Sequence, residues 1–129
     1  MLKPVGQITE DDINSLLTNG VPELTLEYKR DLPGTADADK REVLADVSTF
    51  ANTQGGDLLY GIDEAAGIPT TITGIVSPDL DVELLRLESL LRDGLEPRIT
   101  CQFRRITCGT SIVLLLRIER VRGPHICGG

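Results

Sequence analysis

The chain has 129 residues, enough for one domain, and its net charge of −7 argues at first against a phosphate-bearing partner. Its cysteines, Cys101, Cys108 and Cys127, are odd in number and contain no C-x-x-C pair, which argues against a disulfide framework and for reduced thiols in a cytoplasm. The longest apolar run has five residues, against the roughly 20 of a membrane-spanning helix, and the first residues do not resemble a secretory signal. We therefore expect a cytoplasmic domain without a membrane partner.

The first predicted elements are a helix and a strand. Thr9 is followed by acidic residues, a pattern typical of a helix N-terminus, because a hydroxyl can cap free N–H groups and acids favour the positive end of the helix dipole. We expect this helix to end near Asn19–Gly20. Apolar and charged residues alternate over residues 24–30, which predicts a strand with one buried face. A polar loop with a Pro-Gly pair then leads to a second helix, about Asp39–Thr53.

The remainder of the chain predicts strands on both sides of a third helix. This helix begins at Pro78–Asp79, carries leucines at helical spacing and ends at Gly94. The predicted strands are Asp57–Ile62, Thr70–Val76, Ile99–Ile106 and Ser111–Ile118, with a turn-rich segment over residues 64–69 and a turn at Thr107–Gly109. Three helices and about five strands indicate a single α+β domain over residues 1–129, in which a mixed or antiparallel sheet packs against helices.

Residues 50–63, FANTQGGDLLYGID, join the end of the second helix to a hydrophobic strand. Asn52, Gly55 and Gly56 supply the turn, because glycine adopts positive φ and lets a neighbour approach the backbone closely. One interpretation is a plain helix C-cap that leads into a strand. The other is a turn that shapes a functional surface.

Four segments in order resemble the Schlafen AlbA-type domain, over about residues 11–125: LTLEYKRDLP from Leu24, the helix from Asp39, FANTQGGDLLYGID from Phe50, and DGLEPRI from Asp93. This family is also labelled a divergent AAA-type ATP-binding domain. The resemblance implies a nucleic-acid-binding domain at the N-terminal end of a larger transcriptional regulator. We expect DNA as the partner, and RNA stays open as the alternative. We therefore expect that a further C-terminal domain follows residue 129. In Schlafen proteins a related core cleaves RNA.

The charge is divided unevenly along the chain. Five basic and sixteen acidic residues precede Arg86, whereas eight arginines and four acidic residues make up the charge from there onward. These arginines form an electropositive face if the fold gathers them. Arg98, Arg104 and Arg105, beside the Asn52–Gly56 turn, are therefore the predicted phosphate contacts, in a binding mode that needs no cofactor. The alternative is that the arginines are solubilising side chains with salt-bridge partners.

Glu27 and Lys29 are the candidates for a second function, phosphodiester cleavage. They lie two residues apart, so they leave the same face of the predicted strand. A carboxylate could hold Mg²⁺ or Mn²⁺ while the ammonium stabilises developing charge; the alternative is a surface ion pair. By resemblance to Schlafen-type nucleases, Glu27 would act with an aspartate that follows the glycine-bearing strand. In this chain Asp63 or Glu64 could supply that acid, and the register between the two stays open.

The resemblance also implies an earlier glutamate, and here the chain departs from the family. Pro22 stands at the family's position, and Glu23 is one place later. In a regular strand Glu23 and Glu27 would lie about 13 Å apart, too far to share one ion. This departure counts against the hypothesis that the chain is a nuclease. No metal site is predicted outside the acidic cluster.

ATP binding finds little support in the residues. The motif G-x-x-x-x-G-K-[ST] is absent, no lysine follows the glycines, and Asp57 next to them would repel phosphate. A third alternative, from the interaction class, is an oligomerisation or sensor domain that forms homo-oligomers and binds no nucleic acid.

Overall fold

Helices cover both faces of a four-stranded sheet in the computed structural model, which describes residues 3–19, 25–77 and 79–121. After a 3₁₀ turn, the elements are α1 (Glu10–Asn19), β1 (Leu26–Lys29), α2 (Asp37–Ala51), β2 (Gly56–Tyr60), β3 (Ile62–Ala65), β4 (Ile68–Ile72), α3 (Leu80–Gly94), β5 (Cys101–Cys108) and β6 (Ser111–Ile118). The α+β class is therefore confirmed, with three helices, a mixed sheet and a separate two-stranded hairpin in the described part of the chain.

The strand order of the sheet is β1-β2-β6-β5. β1 and β2 are parallel because α2 crosses between them, whereas β2–β6 and β6–β5 are antiparallel. β1 and β5 are the edges, and β3 and β4 pair with each other outside this sheet. The C-terminal end of β1 therefore lies open beside the hairpin.

The alternation of side chains along the strands produces two apolar cores. On one face, Leu59 and Leu115 pack with the buried Ile13 of α1. On the other face, their strand neighbours Leu58 and Leu116 pack against α2 and α3. The central strands are apolar on both sides, which explains why β2 and β6 read as continuous hydrophobic runs.

One predicted strand and two predicted turns were wrong in detail. The strand expected over Asp57–Ile62 is divided by Gly61, whose φ of 101° ends β2 and redirects the chain into β3. The expected turn-rich segment is the β3–β4 hairpin, in which Ala66 and Gly67 have φ of 54° and 81°, as a two-residue primed turn requires. The turn between β5 and β6 lies at residues 109–110 and shares only Gly109 with the expected turn, because β5 continues to Cys108.

The predicted starts of α1 and α3 are confirmed by hydrogen bonds at their first turns, whereas α2 begins at Asp37, two residues before its predicted start, and has no side-chain cap. The Thr9 N–H donates to Asp12 at 2.9 Å, and the Asp79 carboxylate accepts from the Val82 N–H at 3.2 Å. Each bond satisfies a backbone or side-chain group at the first turn of its helix. Within the described ranges, no helix is both long and apolar enough to cross a bilayer.

Candidate functional site

A cleft of about 740 Å³ lies beside the edge strand β1, between α2 and the β3–β4 hairpin. Three elements supply its polar lining: β1 and the residue after it, the inner side of α2, and the start of β3. Its charged residues are Glu27, Lys29, Arg30, Asp46, Asp63 and Glu64. The structure thus brings the residues predicted for phosphodiester cleavage to the same cleft, and it adds Asp46.

Lys29 lies between two carboxylates. Its Nζ is 3.9 Å from Oε2 of Glu27 and 3.4 Å from Oδ2 of Asp46. Burial disfavours the charged form of Lys29, but the neighbouring carboxylates of Glu27, Asp46 and Glu42 outweigh burial and raise the pKa of the ammonium. Burial, with Asp46 as the second cause, raises the pKa of Glu27. The three side chains therefore form one charge cluster.

The two acidic residues of β3 have separate partners. Oδ2 of Asp63 lies 3.9 Å from Nη1 of Arg30. Oε2 of Glu64 accepts a hydrogen bond of 2.6 Å from the N–H of Gly67 and so closes the hairpin turn. Both carboxylates line the cleft, but neither faces Lys29 in an ion pair within 4 Å.

The described residues do not fit a divalent-cation site. Across residues 3–19, 25–77 and 79–121, no three acidic, histidine or cysteine side chains are grouped so that they could hold a metal ion. Pro22 and Glu23, on which the predicted departure from the nuclease pattern rests, lie outside these ranges. We therefore assign no reaction step to Glu27, Lys29 or Asp63.

Glu27→Gln is expected to raise stability at neutral pH. The folded chain raises the pKa of Glu27 above its ordinary value of 4.5, so it binds this proton more tightly than the unfolded chain does. As pH rises from the ordinary pKa of Glu27 through its raised pKa, ionisation of this carboxyl lowers the free energy of unfolding. Glutamine does not ionise, so the variant does not lose this stability. Thermal unfolding should show a higher Tm for the variant at pH 7 and a smaller difference at pH 4. An equal difference at both pH values would contradict the expectation.

The predicted arginine contacts do not gather on one face. Arg104 and Arg105 are neighbours on β5, so their side chains leave opposite faces of the sheet. Nε of Arg104 donates to the carbonyl of Ile8 at 2.9 Å, whereas Arg105 pairs with Asp81 at the start of α3. Arg98 belongs to the loop after α3. The sequence could not reveal the partner of each guanidinium, because helix and loop contacts decide it.

The double glycine of the Asn52–Gly56 turn serves backbone packing. Gly55 has φ of 75°, and a Cβ there would lie 2.7 Å from the carbonyl oxygen of Ile118. A Cβ on Gly56 would lie 2.5 Å from the ring of Phe50. Gly55 is buried, while residues 52–54 of the same turn are exposed. A ligand could therefore reach the turn at residues 52–54.

Asp57, expected to repel phosphate, is also buried. It is 1% exposed and pairs with Arg117 across β2 and β6. Its charge is thus compensated inside the domain rather than displayed beside the glycines. The expectation that Asp57 repels phosphate at the surface was therefore wrong. Its partner Arg117 is distant in sequence and becomes its neighbour only when β2 and β6 pair.

One end of the sheet does bring together exposed basic residues and the turn. Gly56 is opposite Ile118 in the β2–β6 register, which places Arg120 next to the turn. The Glu119 N–H donates to the carbonyl of Thr100 at 3.0 Å, which holds the segment before β5 against the same end. Arg98 lies two residues earlier, and both arginines are exposed. Arg120 was one of the eight arginines from Arg86 onward, and no local signal distinguished it.

Comparison with known proteins agrees with this fold. The family model described as "Schlafen, AlbA_2" matches residues 23–126. The solution NMR structure of the N-terminal domain of a RecG-related protein from Nitrosomonas europaea has a TM-score of 0.59 and 21% sequence identity, over 95% of this chain and 86% of that chain. That likeness shows a shared fold. A search of curated proteins found no match. Because the family model spans well over half of its length, the chain belongs to the Schlafen AlbA_2 domain family.

Proposed function

We propose that this chain is a nucleic-acid-binding domain. The observation that carries the proposal is the match to the Schlafen AlbA_2 family over residues 23–126. The similar NMR domain adds support, since it comes from a protein named as related to RecG, an ATP-dependent DNA helicase. DNA is therefore the first partner to test, and a role within a larger transcriptional regulator remains a prediction.

The contact surface that we propose is the sheet end formed by residues 52–54, Arg98 and Arg120. The arginines are exposed there and can approach phosphates, and the turn offers an amide side chain at Asn52. Arg98 already has a partner, Glu96, at 2.8 Å, but both side chains are more than half exposed. Such exposed pairs are worth about 0–1 kcal/mol, so a phosphate can replace Glu96.

The cleft beside β1 is a poorer site for phosphate. Its lining carries four carboxylates and two basic groups, so its net charge repels a polyanion. Arg105 could contribute from the face of the sheet next to α3, because its partner Asp81 is 78% exposed. Arg104 is half-buried and donates to the Ile8 carbonyl, so we expect it to contribute less to phosphate binding.

Binding is expected to weaken steeply with salt, and Arg98→Ala combined with Arg120→Ala should reduce that dependence. Each phosphate contact releases about one counterion, so the double variant should flatten the plot of log Kd against log salt by about two. Fluorescence anisotropy with labelled duplex DNA, single-stranded DNA and RNA of equal length would measure this between 50 and 200 mM salt, a range over which roughly 10³-fold loss is typical of several phosphate contacts.

Arg41→Ala is the matched control. Arg41 is an exposed arginine of α2, ten residues before the end of that helix and so about 15 Å from the turn. Wild-type affinity that does not change with salt would contradict the proposed function. Equal losses in the double variant and in Arg41→Ala would contradict the assigned surface.

A further inference from the structure

All four carboxylates that line the cleft beside β1 have a partner inside the protein. Two flank Lys29, one faces Arg30 and one accepts a backbone N–H. A site for a divalent cation needs the opposite arrangement, in which carboxylate oxygens converge on one point at about 2.0–2.6 Å. The carboxylate oxygens of this cleft instead contact separate partners.

The position of Lys29 follows from the packing of α2 on the sheet. Lys29 and Glu27 leave the same face of β1, the face that α2 covers. Asp46 lies beside the buried Val47 on α2 and so turns toward this face. The side chains of Lys29 and Asp46 are 28% and 26% exposed, which makes their attraction stronger than that of a fully exposed pair.

A divalent cation between Glu27 and Asp46 would have to displace the lysine ammonium. If the ammonium stayed nearby, it would repel the incoming ion; if it left, a partly buried charge would lose both partners. In the same way, a cation that binds Asp63 would have to compete with the guanidinium of Arg30. Two protein cations, Lys29 and Arg30, thus pair with the three carboxylates that a metal would need.

We propose that Lys29 is a built-in counter-ion: its ammonium occupies the position between Glu27 and Asp46 at which a divalent cation would bind, so that these two carboxylates have a cationic partner without a metal. This inference does not depend on nucleic-acid binding. It concerns the free domain, and it holds or fails whether or not the domain binds DNA.

Titration of the whole chain with Mn²⁺ alone tests the proposal, with free Mn²⁺ measured by electron paramagnetic resonance. Wild type should bind no tighter than about 1 mM, the weak end of carboxylate sites. Lys29→Met keeps the length of the side chain and removes its charge, so Mn²⁺ should bind at least about tenfold more tightly. Adding Glu27→Gln to Lys29→Met should abolish the gain.

Lys40→Met is the control, because Lys40 is an exposed lysine of the same helix as Asp46 and should leave Mn²⁺ affinity unchanged. Circular dichroism verifies that each variant folds, and Lys29→Gln replaces Lys29→Met if the latter does not. Two results would overturn the proposal: wild type that binds one Mn²⁺ below about 0.1 mM through Glu27, or a folded Lys29 variant with wild-type Mn²⁺ affinity. No nucleic acid is present, so this outcome is separate from that of the salt titration.

Discussion

Asp57→Ala is expected to lower the free energy of unfolding by about 3–5 kcal/mol, because it leaves a charged guanidinium without its main partner in the interior. Nε and Nη2 of Arg117 contact the two carboxylate oxygens of Asp57 at 2.5 and 3.1 Å. Asp57 is 1% exposed and the Arg117 side chain 17%. Nη1 of Arg117 also donates to the Lys3 carbonyl at 2.6 Å, so the pair ties the N-terminal segment to the sheet.

The chain offers a matched control for this experiment. Asp81 and Arg105 also form an ion pair, but their side chains are 78% and 42% exposed. Asp81→Ala should therefore cost only about 0–1 kcal/mol. The chain has no tryptophan, so chemical denaturation followed by far-ultraviolet circular dichroism is the suitable measurement.

A second variant separates the effect of a buried charge from that of lost volume. Asp57→Leu together with Arg117→Met replaces the pair by apolar side chains, and such exchanges are often neutral or stabilising. We expect this double variant to be more stable than Asp57→Ala. If Asp57→Ala cost no more than Asp81→Ala, the assigned role of the buried pair would be wrong.

Gly55→Ala is expected to cost roughly 2–4 kcal/mol, from a left-handed backbone and from overpacking together. Gly55 has φ of 75°, and an added Cβ would lie 2.7 Å from the Ile118 carbonyl oxygen and 2.9 Å from the Arg120 backbone nitrogen. Both atoms belong to the main chain, which cannot move without disturbing the junction between β2 and β6. Chemical denaturation measures the difference.

Gly109→Ala isolates the part of this cost that comes from φ alone. Gly109 has φ of 62°, but a Cβ there would meet no atom within 4 Å. It should therefore cost only about 1–2 kcal/mol. If both substitutions cost the same, the close approach of β6 to Gly55 would not matter for stability, and the reason for the double glycine would lie elsewhere.

Local patterns predicted the helices well, because capping and apolar spacing act over a few residues. Thr9 and Asp79 marked two helix starts that the structure confirms. The break at Gly61 was missed, since a glycine inside a hydrophobic run is compatible with a continuous strand until its φ is known. The β3–β4 hairpin was missed for a related reason: Ala66 occupies a positive-φ position that sequence preferences assign to glycine or asparagine.

The candidate site was predictable only in part. Two-residue spacing was enough to place Glu27 and Lys29 on one face of a strand, and the resemblance added Asp63. Asp46 was not anticipated, because it reaches the cleft from α2 and becomes a partner of Lys29 only when that helix packs on the sheet.

The order of local elements, the α+β class and the resemblance to a nucleic-acid-associated family were contained in the chain itself, because they depend on short-range spacing and on motifs read in order. The partner and the burial of each charged side chain were decided by tertiary structure. Arg104 contacts the Ile8 carbonyl and Arg105 pairs with Asp81, partners that are 96 and 24 residues away in sequence. Asp57 and Arg117 are sixty residues apart and share one buried ion pair. Electrostatic energy depends on distance and burial in space, and strand pairing and helix packing set both.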